Sequence, residues 1–324
     1  MKLPNFDDVL SAAEQIEGYA VKTPFLKAQD LSEKLDAEIY IKPECLQRVG
    51  AFKFRGAFNR LSRLNEEERK RGVVAYSSGN HAQGVAASAQ ILDMNAVIVM
   101  PEDSPKMKLQ NTKDYGAEVI TYNRNTESRE KIADKISEER GCIVVPSFED
   151  HYIISGQGTA GLEALKQAEE LGISLDLFMT PVGGGGLISG CALAVKGLSP
   201  DAEIYGVEPE GFDDVKRSLE SGKIEHNARP SGSICDAILT LHPEPMTHKI
   251  MSDNLSGVLT VTDDEVLVAM KYAWEKLKLV VEPGASVALA AVLHGKIDVK
   301  GKKLCIVLSG GNVDEETFVK ALNS

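Results

Sequence analysis

Short apolar runs separated by longer amphipathic stretches set the rhythm of this chain. Phe6 to Ala20 carries apolar residues at helical spacing and predicts a helix. Ile39 to Lys42 predicts a strand, with Pro24 as a turn signal between the two and Asp30 as a helix cap before Leu31. From Val73 the rhythm repeats. Val73 to Tyr76, Ala96 to Met100, Glu118 to Thr121 and Cys142 to Val145 predict strands, with helices between them, one starting after Pro105. Near Phe148 the pattern changes, and Ser155-Gly156-Gln157-Gly158-Thr159 predicts the opening of another helix. The apolar run Leu175 to Met179 leads into a small-residue helical stretch, Ile188 to Lys196. Such alternation predicts an α/β architecture around parallel sheets. Residues 69–148 would form a smaller four-stranded domain inserted in a larger one built from 1–68 and 149–324. No internal repeat or low-complexity segment interrupts this order.

Composition narrows the function classes. The chain has 324 residues, 43% hydrophobic, with a net charge of −12. That charge opposes non-specific binding to nucleic acid or anionic membranes, but not an anionic ligand held by local donors. Five scattered cysteines (Cys45, Cys142, Cys191, Cys235 and Cys305) form no C-x-x-C pair and lie mostly among apolar residues. They read as buried reduced thiols of a cytoplasmic protein. The first residues contain no apolar leader core, and Val287 to Leu293 is too short to span a bilayer.

Four segments carry candidate chemistry. Gly50-Ala51-Phe52-Lys53-Phe54-Arg55-Gly56-Ala57 sets a lysine between two phenylalanines. Desolvation there would penalise the ammonium, and a neutral amine can attack a carbonyl and hold a Schiff base. In isolation, a snorkelling surface lysine fits the same string. Pro181-Val182-Gly183-Gly184-Gly185-Gly186-Leu187 links an apolar strand to a helix. Bare backbone N–H groups at a helix start hold a phosphate, and this spacing is not the G-x-G-x-x-G of a dinucleotide site. Ser77-Ser78-Gly79-Asn80-His81-Ala82-Gln83-Gly84 follows another strand and reads equally as a helix cap or a carboxylate site. Ile306-Val307-Leu308-Ser309-Gly310-Gly311-Asn312 ends a strand in a hydroxyl and two glycines, where parallel sheets face their ligands.

Together, and in this order, these segments resemble the fold-type II pyridoxal-phosphate enzymes, specifically the serine/threonine dehydratase and serine racemase family. The resemblance runs from about Thr23 to Val313. It implies two open, twisted, mainly parallel sheets of the tryptophan synthase β kind, with the cofactor between domains that close on substrate. It also implies that Lys53 holds pyridoxal 5'-phosphate as a Schiff base and abstracts the substrate α-proton. Phe52 would pack on the cofactor ring and Asn80 would bond its phenolic oxygen. Gly183, Gly184, Gly185, Gly186 and the N–H of Leu187 would grip the phosphate, and Ser309 would face the pyridine nitrogen. Ser77, Ser78, Gly79 and His81 would surround the substrate carboxylate. A homodimer is implied as well, and Glu282 matches a glutamate that orders the cofactor pocket.

A neutral hydroxyl at the pyridine nitrogen stabilises the protonated ring less than a carboxylate does, which favours elimination or brief proton exchange over transamination. The leading expectation is dehydration of a β-hydroxy amino acid, L-serine or L-threonine, to a 2-oxo acid and ammonia. Serine racemisation is the runner-up. Many threonine dehydratases carry Ala where this chain has Ser78, whereas racemases carry Ser, giving acid–base groups on both faces of the α-carbon. Dehydration of 3-hydroxyaspartate comes third, supported by Arg129, which could meet a carboxylate bidentately or sit solvated on a charged helix. Ala237 stands where relatives often place Gly, and Thr240 where racemase-type members place Ser. A β-replacement synthase usually continues its lysine as K-D-R, unlike Lys53-Phe54-Arg55. A non-catalytic binder of a phosphorylated ligand is the alternative outside the enzymes. The end of the chain shortly after Asn312 leads to the expectation that the C-terminal regulatory domain of biosynthetic threonine dehydratases is absent.

The same resemblance implies a divalent cation at Gly206-Val207-Glu208-Pro209-Glu210-Gly211-Phe212-Asp213-Asp214. Its ligands would be Glu208, Asp214 and the carbonyl of Phe212. All-oxygen ligation suits Mg²⁺, with Ca²⁺ or Mn²⁺ as alternatives, and not zinc. Read alone, the string is an acidic surface loop.

Overall fold

In the computed structural model, residues 2–77, 79–104, 106–124 and 126–324 are described. Strands β1 (Leu26–Lys27), β2 (Glu38–Pro43), β3 (Val73–Tyr76), β4 (Ala96–Pro101), β5 (Glu118–Tyr122), β6 (Ile143–Val144), β7 (Leu177–Pro181), β8 (Glu203–Pro209), β9 (Gly257–Val261) and β10 (Lys303–Leu308) form two sheets. The larger has the order β1-β2-β10-β7-β8-β9 and the smaller the order β5-β4-β3-β6. Among these strands only the β1–β2 pairing is antiparallel. The four strands of the smaller sheet all fall between Val73 and Val144.

The central strands are apolar on both faces because both faces are covered, as parallel sheets require. In β10, Ile306 and Leu308 join one core with Val287 and Leu289 of the helix Pro283–Leu293. Cys305 and Val307 join the opposite core with Ala164, Cys191 and Val9. The stretch Val287 to Leu293 is therefore a buried core helix. No helix among the described residues is long and apolar enough to cross a membrane.

Three local expectations are corrected. The first helix ends at Ile16, short of Ala20, and Gly18 follows with φ +78°. Asp30 lies inside the helix Gln29–Leu35, whose cap position is Ala28. Ser155 to Thr159 does not open a helix. The helix runs His151–Glu170 and is capped by Asp150, which accepts from the N–H groups of Tyr152 and Ile153. Glycines in its middle serve close packing instead. A Cβ on Gly156 would stand 2.6 Å from Gly56 Cα, and one on Gly158 would stand 2.6 Å from the Gly190 carbonyl oxygen. The helix thus lies tightly between the helix Lys53–Ser62 and the helix Gly186–Leu198, which carry the candidate lysine and the glycine loop.

Candidate active site

Lys53 is the first residue of its helix, and that helix start is held from below by buried charge. Arg55, two residues on, is fully buried and grips Glu44 with two hydrogen bonds of 2.7 and 2.8 Å. It also bonds Glu163 at 2.9 Å, which takes a 2.7 Å bond from the buried Lys42. A paired network of this kind tolerates burial only while every member keeps its partner. The segment's other anchor is backbone: the Phe52 N–H donates to the Ser309 carbonyl at 3.0 Å.

So anchored, Lys53 opens onto a cavity. Its Nζ donates to the Ser147 carbonyl at 2.8 Å and lies 5.2 Å from the centre of the Phe52 ring. Burial lowers its pKa to about 8, with the charge of Glu282 opposing the shift. Phe54 takes no part in this; it stacks on Phe58 in the core. Of the two flanking phenylalanines, Phe52 is the one set against the amine.

The cavity gathers nearly every candidate. Phe52, Lys53, Ser77, Gly79, Asn80, His81, Arg129, Gly183 to Gly186, Leu187 and Ser309 all line it. Ser78 lies outside the described residues. The helix starts at Gly186, not Ile188, so Gly186 and Leu187 supply N–H groups of its first turn. Gly185 has φ +88°, a conformation that disfavours a side chain. A Cβ on Gly184 would stand 2.4 Å from the Phe148 ring, and one on Gly186 would stand 2.8 Å from Phe148 Cβ. Bare backbone is what this loop has room for, and bare backbone at a helix start holds a phosphate.

Two lining residues have a restricted chemistry. His81 Nε2 donates to the Val145 carbonyl at 3.0 Å, while Nδ1 is buried with no partner among the described residues. Burial, aided by the charge of Lys53, lowers its pKa to about 3. The imidazole is therefore neutral, with Nε2 as its donor to Val145 and Nδ1 left as an unprotonated acceptor. Arg129 is exposed, paired with Glu130 at 2.7 Å and set over the Tyr76 ring at 5.4 Å. Its charge borders both the cavity and the wider cleft beside it.

Sequence reasoning missed Lys108, and gave no role to Asp236 or Asn312. Lys108 comes from the helix Lys106–Asp114, is buried, and reaches Asp236 at 2.9 Å and Glu282 at 3.7 Å. Glu282 accepts from Asn80 Nδ2, and Asn80 Oδ1 accepts from Asn312 at 2.8 Å. Among the described residues the second Asn80 amide hydrogen has no partner, and Asn80 lines the cavity. Ala237 and Thr240 also line it.

The acidic segment lies elsewhere, at the end of β8. Glu208 is buried and accepts from the N–H groups of Val215 and Lys216 at 3.0 and 2.9 Å. Asp214 Oδ1 accepts from Asn227 at 2.6 Å, and its Oδ2 is buried without a partner among the described residues. Burial, then the charge of Asp214, pushes the Glu208 carboxyl well above its usual range. Burial also pushes Asp214 up to about 7. Two buried carboxylates with an orphaned oxygen fit a hard cation, which would relieve both. Among the described residues no group of three or more His, Cys, Asp or Glu side chains is placed to hold a metal, so a third ligand would have to be a carbonyl or water.

A half-buried amine at a helix start, sharing its cavity with a glycine loop in a fold of two mainly parallel sheets, fits an enzyme that works through a carbonyl cofactor with a phosphate tail. The chain belongs to the pyridoxal-phosphate dependent enzyme family, whose model matches residues 16–310. Its fold is the fold-type II architecture expected from the motifs. It is 46% identical to the L-threo-3-hydroxyaspartate ammonia-lyase of Saccharomyces cerevisiae, over 100% of this chain and 98% of that protein. It is 43% identical to the serine racemase of Schizosaccharomyces pombe, over 99% and 98% of the two chains. The solved structure of maize serine racemase superposes with a TM-score of 0.93 at 35% identity, covering 99% of this chain and 98% of that one. The relatives are ammonia-lyases and racemases, the two reaction types that the motifs separate from transamination.

Proposed function

We propose that this protein eliminates the β-hydroxyl of a β-hydroxy amino acid such as L-serine or L-threonine, releasing a 2-oxo acid and ammonia. The observation that carries the reading is Lys53, a half-buried amine with a lowered pKa that shares one cavity with the tetraglycine loop. Bound pyridoxal phosphate supplies an electron sink that acidifies the substrate α-carbon. Gly183 to Gly186 and the Leu187 N–H would hold its phosphate, Phe52 would pack on its ring, Asn80 would donate to its ring oxygen, and Ser309 would meet its nitrogen. Lys53 Nζ then takes the α-proton, and the low pKa suits it to do so near neutral pH. Ser77 and Gly79 flank the substrate carboxylate.

A second reading, dehydration of 3-hydroxyaspartate, is favoured by Arg129, whose guanidinium borders the cavity where a second carboxylate would lie. Incubation with serine, threonine and both hydroxyaspartates, reading 2-oxo acid and D-amino acid separately, ranks the activities. Oxo acid from serine or threonine supports the proposal; D-serine as the only product overturns it in favour of racemisation.

Three further assignments belong to this reading. Glu208, Asp214 and the Phe212 carbonyl would take Mg²⁺ or a similar cation, supported by the unpartnered Asp214 Oδ2. Residues 69–148 would move as a small domain over the cofactor, since they contain the whole smaller sheet. The assembly would be a homodimer in a reducing compartment, in keeping with five free cysteines.

A further inference from the structure

We propose that Lys108 is a positioning residue of the active site: its ammonium, held between Asp236 and Glu282, favours an ionised, acceptor-only Glu282 and so keeps that end of the Asn80 hydrogen-bond chain in agreement with the orientation set at its Val49 end. The inference rests on the reading of Asn80 as the donor to the cofactor.

The argument begins at a backbone carbonyl. The oxygen of Val49 can only accept, so the Asn312 amide must present Nδ2 to it, at 2.8 Å. The same Nδ2 donates to Asn80 Oδ1 at 2.8 Å. That turns Asn80 Nδ2 toward Glu282 Oε1, which accepts one of its hydrogens and leaves the other without a partner among the described residues. Both ends of this chain, Glu282 and Val49, accept, and Asn312 Nδ2 donates toward each of them, to Val49 directly and to Glu282 by way of Asn80. A protonated Glu282 could donate from the same oxygen, and would then ask Asn80 to reverse against the Val49 end. Room for the carboxylate is provided by Gly310, where a Cβ would stand 2.2 Å from Glu282 Oε1 and 3.1 Å from Asn80 Nδ2.

The ionised form of Glu282 is favoured by the neighbour of its other oxygen. Oε2 is buried and has no hydrogen-bond partner among the described residues, and Lys108 Nζ lies 3.7 Å from it. Among the described residues, the charged groups facing this site are few. Asp236 shares Lys108 with Glu282, Lys53 lies on the cavity side, Asp314 acts on Lys108, and the thiols of Cys45 and Cys235 are near. Burial pushes the Glu282 carboxyl up to about 7, with Lys108 the main force holding it down and Asp236 adding to the rise. Burial also works against the Lys108 charge, but Glu282 and Asp236 outweigh it. Lys108 comes from the segment of the smaller sheet and its partners from that of the larger, so the contact also ties the two together across the cavity.

The test reads Glu282 directly. Its protonated-carboxyl infrared band, assigned by its loss in Glu282→Gln, is titrated in the full-length protein. Lys108→Met is expected to raise the midpoint by about one pH unit or more, a tenfold change in proton affinity. Asp236→Asn is expected to lower it, and Lys108→Arg to leave it near the wild type. A Lys108→Met midpoint equal to the wild type overturns the proposal. Should Lys108→Met fail to fold, Asp236→Asn decides alone, and a midpoint that stays or rises overturns it. The infrared readout needs no cofactor, so failure of the cofactor reading appears separately, as a wild-type protein without visible absorbance.

Discussion

Asn80 and Glu282 stand 202 positions apart in the chain, yet the Asn80 amide donates to a buried Glu282 carboxylate oxygen beside Lys53. Glu282 also acts on Lys53, where its charge opposes the burial that brings the amine to about 8. Only the neutral amine attacks an aldehyde. The rate at which the apoprotein captures added pyridoxal phosphate should therefore rise with pH and level off above about 8. Glu282→Gln removes the charge that favours the ammonium, so the midpoint should move to lower pH. Stopped-flow absorbance reads both curves, and an unmoved or higher midpoint would contradict this arrangement.

The glycine loop makes a steric prediction. In Gly184→Ala the new Cβ would stand 2.4 Å from the Phe148 ring, so either the ring or the loop must shift. Overpacking of this kind costs about 1–3 kcal/mol. Urea unfolding should show that loss, and dialysis should show weaker retention of the cofactor. Full stability with normal retention would mean that the loop has slack that the structure does not show.

Beneath the lysine, Arg55 joins Glu44 and Glu163 in a buried network. Arg55→Met leaves Glu44 buried without its main counter-charge. Removing one partner of a buried pair costs roughly 3–5 kcal/mol. The double variant Arg55→Met with Glu44→Leu should recover part of that loss in urea unfolding. A double variant as unstable as the single one would place the cost in packing and not in charge.

The parts of the site that could be read from the sequence are those that follow an apolar strand. Ser309, the tetraglycine loop and Asn80 each stand just past β10, β7 or β3, where a run of buried residues breaks into glycine and hydroxyl. Lys53 was legible from its place between Phe52 and Phe54, although of the two it is Phe52 that lies against the amine and Phe54 that packs on Phe58. Lys108 was not legible. Its helix, Lys106–Asp114, is mostly polar, and nothing in that spacing distinguishes a lysine buried against Glu282 from Lys113 on the same helix. Gly156 and Gly158 were misread because a glycine between helices resembles a glycine at a helix end. The difference depends on a partner helix distant in the sequence.

The acidic pair predicts a response to metal. Glu208 and Asp214 lie buried together, and Asp214 Oδ2 is unpartnered among the described residues. Mg²⁺ should raise the melting temperature of the wild-type protein and a chelator should reverse the gain. Asp214→Asn should lose that response while keeping the bond from Asn227. A variant that still responds to Mg²⁺ would move the cation to other ligands.

The account depends most on Lys53. The purified protein loaded with pyridoxal phosphate should absorb visible light and lose that band on borohydride treatment. Peptide mass spectrometry should then find the added cofactor mass on Lys53, and Lys53→Ala should take up no such label. Label on another lysine, or an undiminished band in Lys53→Ala, would contradict the central claim.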